Sequence, residues 1–458
     1  MSEMNILFIA MEFIPLNLGG VFRPLRFVNG LKQNKINPII ITFDDNANLR
    51  KVQTKFDYDL LEKLNKDIRV YRIPLDDIGK YYKSRLARFR NIYFNVVSDN
   101  YRKAWEENLF QQLPAIIKEH QPRAVFVTCP PFSGAQLGVR ISREFKLPLI
   151  LDMRDAWAKM SMSPLGSYFH YLYKQRIERT AFRQARTIIT VTPQLKKIFQ
   201  ETHPEIPAEK FKLIYNGFDF DLPAALSVRS GRISEQPIFN IGYIGAFYYS
   251  PSGRDQMFRK WWQRKGHRML QYTPVKEDWL YRSPYFFFRT MALLFEKHPE
   301  WRSKLFFHYI GETPDWLMEM AEETKVENNV VLHGFQTLAR TLELQQSFDL
   351  LLATSEKVIG NDHYCLPSKL FTYLRSGKPL LGFVTRGVQH DFIEKSRLGV
   401  ICDPDDLIAA SGMIEEMISK GYTAGLDLSF LSQFANPVAI KDLTALIAEV
   451  AGQEADKR

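Results

Sequence analysis

Three cysteines in 458 residues, Cys129, Cys365 and Cys402, are too few for a disulfide framework. None stands in a CxxC spacing or beside a pair of histidines, which argues against a structural zinc site. HExxH and acidic metal-binding loops are missing, and so is the full GxGxxG spacing of a dinucleotide-binding turn. No apolar run reaches the roughly 18 to 20 residues that span a bilayer, and no repeat at a solenoid period is visible. The opening MSEMNILFIAMEF has an acid where a signal peptide needs bases, so a cytoplasmic chain is expected. What the sequence does have is positive charge. Lys and Arg number 61 against 51 Asp and Glu, a net +10 that favours nucleotide phosphates, lipid headgroups or nucleic acid as partners. Hydrophobic content of 45% beside 24% charged residues is the ordinary globular balance. A chain of 458 residues exceeds one compact core and fits two α/β domains with additions.

Apolar strand patterns alternate with helical ones through residues 1–221. NILFIA (Asn5 to Ala10), PIIITF (Pro38 to Phe43), Val70 to Ile73, AVFVT (Ala124 to Thr128), LPLILD (Leu147 to Asp152), TIITV (Thr187 to Val191) and Lys212 to Ile214 read as strands. Helical stretches separate them, including Tyr81 to His120 and Tyr168 to Ala185. Such alternation implies a parallel sheet covered on both faces. Residues 222–237 lose the pattern, gain Ser, Pro and Gly, and are expected to be a linker. A second α/β series runs over 238–430, beginning with FNIGYI (Phe239 to Ile244), with helical pattern dominant from Asp405 onward. Residues 431–458 are expected to form a helical tail that packs back on the first domain. The fold class is therefore α/β, two Rossmann-like doubly wound sheets whose carboxyl strand ends face a shared cleft, where ligands of such sheets bind.

Candidate residues follow from that geometry. Gly19 and Gly20 lie between the first strand and a helix, where glycines let main-chain N–H groups approach a phosphate or a sugar; a plain βα turn has the same signature. Asp152-Met153-Arg154-Asp155 follows a strand directly. There Asp155 suits proton acceptance from an acceptor hydroxyl and Arg154 suits an anionic group, while an ion pair fixing the loop is the alternative. Ser368 and Lys369 open a helix whose amides and cation suit a diphosphate, against a capping serine with a solvated lysine. Cys129, before two prolines at a strand end, is either a nucleophilic thiol or a small buried residue. Residues 246–288 interrupt the second domain with Trp261, Trp262 and Trp279 among Arg259, Lys260, Arg264, Lys265 and Arg268. This insertion reads as a packed cap over the cleft, as a surface for membrane or anionic glycolipid, or as a nucleic-acid platform.

Taken in order, several segments resemble the GT4-type glycosyltransferases with the GT-B fold. They are NILFIA, Leu18-Gly19-Gly20-Val21 with Arg23-Pro24, Cys129-Pro130-Pro131-Phe132-Ser133 with LPLILDMRDAW, YNGFD, Gly242-Tyr243-Ile244-Gly245, and PSKLFTYLRSGKPLL from Pro367 to Leu381. The resemblance implies a nucleoside-diphosphate sugar donor held mainly by the second domain and a saccharide or lipid-linked acceptor held mainly by the first. It implies transfer with retention, no metal and no separate cofactor, in surface polysaccharide or glycolipid synthesis at a membrane surface, and it makes nucleic acid an unlikely partner. Carried onto this chain, it sets Gly19, Gly20, Gly245, Ser368, Lys369 and Thr372 at the donor, with Arg254 and Arg282 competing for the place of a donor-binding cation. The catalytic pair is Asp155 and Arg154. Two departures stand out: Thr372 and Tyr364 occupy positions where the family commonly has glutamates. They raise an alternative, a non-catalytic scaffold that binds nucleotide-sugar or glycan.

Overall fold

Strands β1 (Met4–Ile9) and β2 (Ile36–Phe43) are nearly unbroken apolar runs. They pair in parallel from Met4 opposite Ile36 to Ile9 opposite Ile41, and their side chains are almost all buried, as in a sheet covered on both faces. The computed structural model describes residues 3–81, 101–159, 164–222 and 227–455. With β3 (Val70–Ile73), β4 (Val125–Cys129), β5 (Leu149–Met153), β6 (Thr187–Thr190) and β7 (Phe211–Leu213), the first sheet runs β3-β2-β1-β4-β5-β6-β7, all parallel. The winding reverses between β1 and β4. Loops leaving those two strands therefore diverge to opposite faces and open a crevice at their carboxyl ends.

The second domain repeats the plan. Its elements are β8 (Ser227–Ser230), β9 (Phe239–Ile244), β10 (Glu277–Asp278), β11 (Leu305–Ile310), β12 (Val330–Leu332), β13 (Leu350–Thr354), β14 (Lys357–Val358), β15 (Leu380–Phe383), β16 (Gly399–Cys402) and β17 (Tyr422–Gly425). Its main sheet is ordered β12-β11-β9-β13-β15-β16 and reverses between β9 and β13. Two doubly wound parallel sheets are thus present, as the alternation of strands and helices predicts.

Two regions differ from the sequence reading. The expected linker, 222–237, contains β8, which pairs antiparallel with β17, and its Val228 and Ile233 are buried in the second domain's cores. Apolar side chains spaced among Ser and Gly gave no periodicity to mark that strand. β17 itself interrupts the stretch read as helical after Asp405. Of the long helix expected over Tyr81 to His120, Tyr101–His120 is helical, and the expected part over 82–100 lies outside the described residues. The last helix, Asn436–Ala455, lies against the helix Phe22–Gln33 of the first domain. Ile440 sits over Gly30, where any Cβ would come within 2.5 Å of it, and Leu443 and Ile447 are fully buried in the first domain's core.

Candidate functional site

The carboxyl ends at the two reversals supply the site. From the first domain comes the loop after β5. Arg154 does not project freely into the cleft. Its guanidinium donates to three main-chain carbonyls, Gly20 at 2.6 Å, Pro130 at 2.7 Å and Cys129 at 3.1 Å. It ties the loops after β1, β4 and β5 together, and all the described bonds of its side chain go to the backbone. A Cβ at Gly20 would stand 2.9 Å from Arg154 Nη1, so a larger residue there would have to push the guanidinium aside. Asp152 is likewise internal, fully buried and paired with Arg23 at 2.9 Å. Arg23 goes on to the carbonyls of Ile214 and Tyr215, which fixes the YNGFD turn. Asp155, the residue after Arg154, is the carboxylate of this segment close enough to the second domain to feel its charges. It senses Glu356 and Arg282 of the second domain, and burial, reinforced by Glu356, raises its pKa.

The second domain contributes a denser cluster. Arg282 is buried and pairs with Glu356 at 2.9 Å. Its guanidinium carbon lies 5.1 Å from the ring centre of Tyr248 and 5.3 Å from that of Trp279. His363, fully buried, brings Nε2 within 3.0 Å of the other Glu356 oxygen but off the line of a hydrogen bond, so its ring nitrogens stay without hydrogen-bond partners. Burial opposes ionisation of Glu356, yet His363 and Arg282 together hold its carboxyl well below the usual range. Glu277, on β10, is brought beside this group by the pairing of β10 with β14. Burial first, and then the Glu356 charge, push its carboxyl up to about 8. Arg282 Nε is also buried without a partner. A buried donor with no acceptor is uncommon in folded proteins and fits a group awaiting an anionic ligand.

Lys369 opens the helix Lys369–Ser376, which ends at Gly377 in the left-handed conformation, φ 67°. Its ammonium lies 3.6 Å from the centre of the Tyr243 ring. Burial and then Arg282 lower its pKa strongly, against the pull of Glu356. Ser368 is exposed and makes no side-chain cap. Two amides of the first turn, those of Leu370 and Phe371, are used on Pro367 and Ser368 carbonyls. Gly245 follows β9 directly with φ 102°, a conformation glycine adopts without strain, and nothing lies within 4 Å of its missing Cβ.

The two cations proposed as equals separate clearly. Arg282 lies among Glu356 and Lys369, whereas Arg254 is bound to Asp278 at 2.7 Å on the insertion. Thr372 is exposed, and its carbonyl accepts from Gln345 Nε2 at 3.2 Å. Tyr364 packs into the core of the first domain, and its carbonyl accepts from Thr192 Oγ1 at 2.8 Å, linking the domains. Neither Tyr364 nor Thr372 offers a carboxylate, and the acids of the cleft cluster are Glu356 and Glu277. Little in the sequence marks either: Glu356 follows a buried strand end, and Glu277 lies in an insertion without periodicity. Cys129 and Cys365 are poor nucleophiles here, the first fully buried and the second with its thiol pushed up by burial. Among the described residues, His390, Asp391 and Glu394 form one group whose ligand atoms lie within 4.8 Å of one another, on a single helix.

Residues 40–217 match the family described as a glycosyl transferase 4-like domain. Residues 40–217 of the chain are thus similar to a glycosyl transferase 4-like domain, and the whole has a GT-B fold. Among solved structures, HepE from Anabaena in complex with UDP and glucose is 14% identical with a TM-score of 0.51, covering 99% of both chains. WaaB, described as a lipopolysaccharide outer core galactosyltransferase, is 14% identical with a TM-score of 0.53, covering 97% of this chain and 99% of its own. Sucrose-phosphate synthase from Thermosynechococcus elongatus is 11% identical with a TM-score of 0.53, covering 99% of this chain and 98% of its own. At these identities the likeness is one of fold. No curated protein matches the sequence. No helix among the described residues is long and apolar enough to cross a membrane.

Proposed function

We propose that the protein transfers a sugar from a nucleoside-diphosphate sugar to a saccharide or lipid-linked acceptor, with retention, at the cytoplasmic face of a membrane in surface polysaccharide or glycolipid synthesis. The observation that carries this reading is the meeting of Arg282 and Lys369 with Glu356 and Asp155 where two chain reversals face each other. As the glycosidic bond to the diphosphate breaks, negative charge grows on the leaving phosphate. The Arg282 guanidinium fixed in a low-dielectric cleft, joined by Lys369 once the phosphate charge favours its protonated form, stabilises that charge more than the ground state, which is the main electrostatic task of such a transfer. Arg282 brings an unpartnered buried Nε to it. Asp155, on the first-domain side, is placed to take the proton of an incoming hydroxyl, and its raised pKa brings its basicity closer to that task. The UDP complexes of HepE accord with a nucleotide-sugar donor.

The scaffold reading draws on Tyr364 and Thr372, and the carboxylate of Glu356 in the same cleft weighs against it. Thermal-shift measurements with nucleoside diphosphates and their sugars separate ligand from non-ligand, since a ligand at a hundred times its Kd stabilises by about 2.7 kcal/mol. Lys369→Ala is expected to weaken nucleotide binding, and Asp155→Ala to spare binding while lowering turnover. Unchanged nucleotide affinity in the lysine variant refutes the diphosphate assignment; binding without hydrolysis or transfer across a broad donor panel establishes the scaffold instead.

A further inference from the structure

The insertion carries a second basic feature that the cleft chemistry leaves unused. A pocket of 280 Å³ is lined by Gln256, Arg259, Arg264, Lys265, Arg268 and Gln271, four cations and two amides with no carboxylate in its wall. Arg264 braces it, donating to the carbonyls of Arg259 at 3.1 Å and Gln271 at 2.6 Å. Arg259 is held by Asp255 on the preceding helical turn. Lys265 and Arg268 are exposed and form no ion pair among the described residues. Cations crowded in this way repel one another unless an anion lies among them.

The rim of the same segment is apolar and wet. Trp261 and Trp262 are 60% and 61% exposed, and Leu270 is 76% exposed. The exposed surface continues onto the other domain. Leu165 and Tyr272 exchange two main-chain hydrogen bonds, of 2.8 and 3.0 Å, and the Tyr168 ring lies 5.0 Å from that of Tyr272. Phe169, the next residue along that helix, is 79% exposed. A soluble anion would account for the cations but gives no reason for this rim. A single-stranded nucleic acid needs open ring faces, yet the two tryptophans meet edge to face at 89° and Lys260 covers the Trp262 ring at 5.1 Å. Tryptophan, leucine and phenylalanine beside lysine and arginine are what the interface of an anionic bilayer accommodates.

We propose that the insertion surface formed by the Arg259–Arg268 pocket and the Trp261, Trp262 and Leu270 rim docks this protein onto an anionic phospholipid bilayer, the pocket receiving a phosphate headgroup. The proposal deepens the membrane-facing part of the proposed function and rests on it. The insertion leaves the cleft at Gly245 and returns to it at Arg282, so docking there holds the cleft near the membrane plane, where a lipid-borne acceptor is presented.

Sedimentation of the full-length protein with vesicles tests this. Binding is expected with phosphatidylcholine vesicles containing phosphatidylglycerol, not with phosphatidylcholine alone, and is expected to weaken as salt rises. Lys265→Gln combined with Arg268→Gln is expected to lower vesicle affinity by about 30-fold, and Trp261→Ser with Trp262→Ser to lower it further. Both variants should keep the wild-type thermal shift with nucleoside diphosphates, which shows that they fold. Equal binding to both vesicle types, indifference to the paired substitutions, displacement by an oligonucleotide, or capture of inorganic phosphate without vesicle binding each overturns the proposal. If vesicles bind as expected while no nucleotide stabilises the protein, the donor assignment fails and the docking surface stands.

Discussion

Glu277 shows how a single side chain acquires properties its sequence neighbourhood does not announce. In the folded protein it holds its proton up to about 8, against an ordinary value of 4.5, because it is buried beside Glu356. The folded state therefore binds more protons than the unfolded chain between those two values, and stability declines as pH rises through that window, levelling off above it. Glu277→Gln is expected to remove that decline, so the difference in melting temperature between variant and wild type should grow across the window. A parallel profile for the two proteins would show that the carboxyl titrates normally. At this scale the sequence pointed to Asp155, Ser368 and Lys369, near a strand end or a helix start that periodicity could locate, and, by resemblance alone, to Arg282 as an equal of Arg254. It also pointed to Arg154, whose fork the structure spends on the carbonyls of Gly20, Cys129 and Pro130. Nothing local distinguishes an arginine that will meet a ligand from one that will meet three carbonyls, since the partners come from three separate loops.

The helix Pro193–Thr202 illustrates the next scale. Thr192 caps it by accepting from the Leu195 amide at 3.1 Å, with proline at the first helical position. The same hydroxyl donates to the Tyr364 carbonyl of the other domain. Thr192→Ala is expected to cost about 2 kcal/mol, roughly 1 for the cap and 1 for the interdomain bond. Thr192→Ser should restore most of it, as read by chemical denaturation. Elements with strong local signals, such as β1, β2 and the helix Lys369–Ser376 closed by Gly377, are legible in the sequence. The two-residue strands β10 and β14 are not. They exist because each is the other's partner, and their pairing sets Glu277 beside Glu356.

At the scale of the molecule, the chain passes from one domain to the other more than once. The helix Asn436–Ala455, last in sequence, completes the core of the first domain through Leu443 and Ile447. Leu443→Ala is expected to destabilise by about 2 to 5 kcal/mol, the range for a leucine in a packed interior, although it lies 15 residues from the end; a loss below about 1 kcal/mol would mean that this helix only rests on the surface. The sequence by itself determined that there are two doubly wound α/β domains, because burial on both faces of a parallel strand writes an unbroken apolar run and strands must alternate with covering helices. Only the tertiary structure decided which charges meet in the cleft, that the expected linker contains a short strand, and that Arg154 serves the backbone. Those outcomes depend on contacts between segments tens to hundreds of residues apart, and no short-range pattern of side chains encodes the distance between two such segments in space.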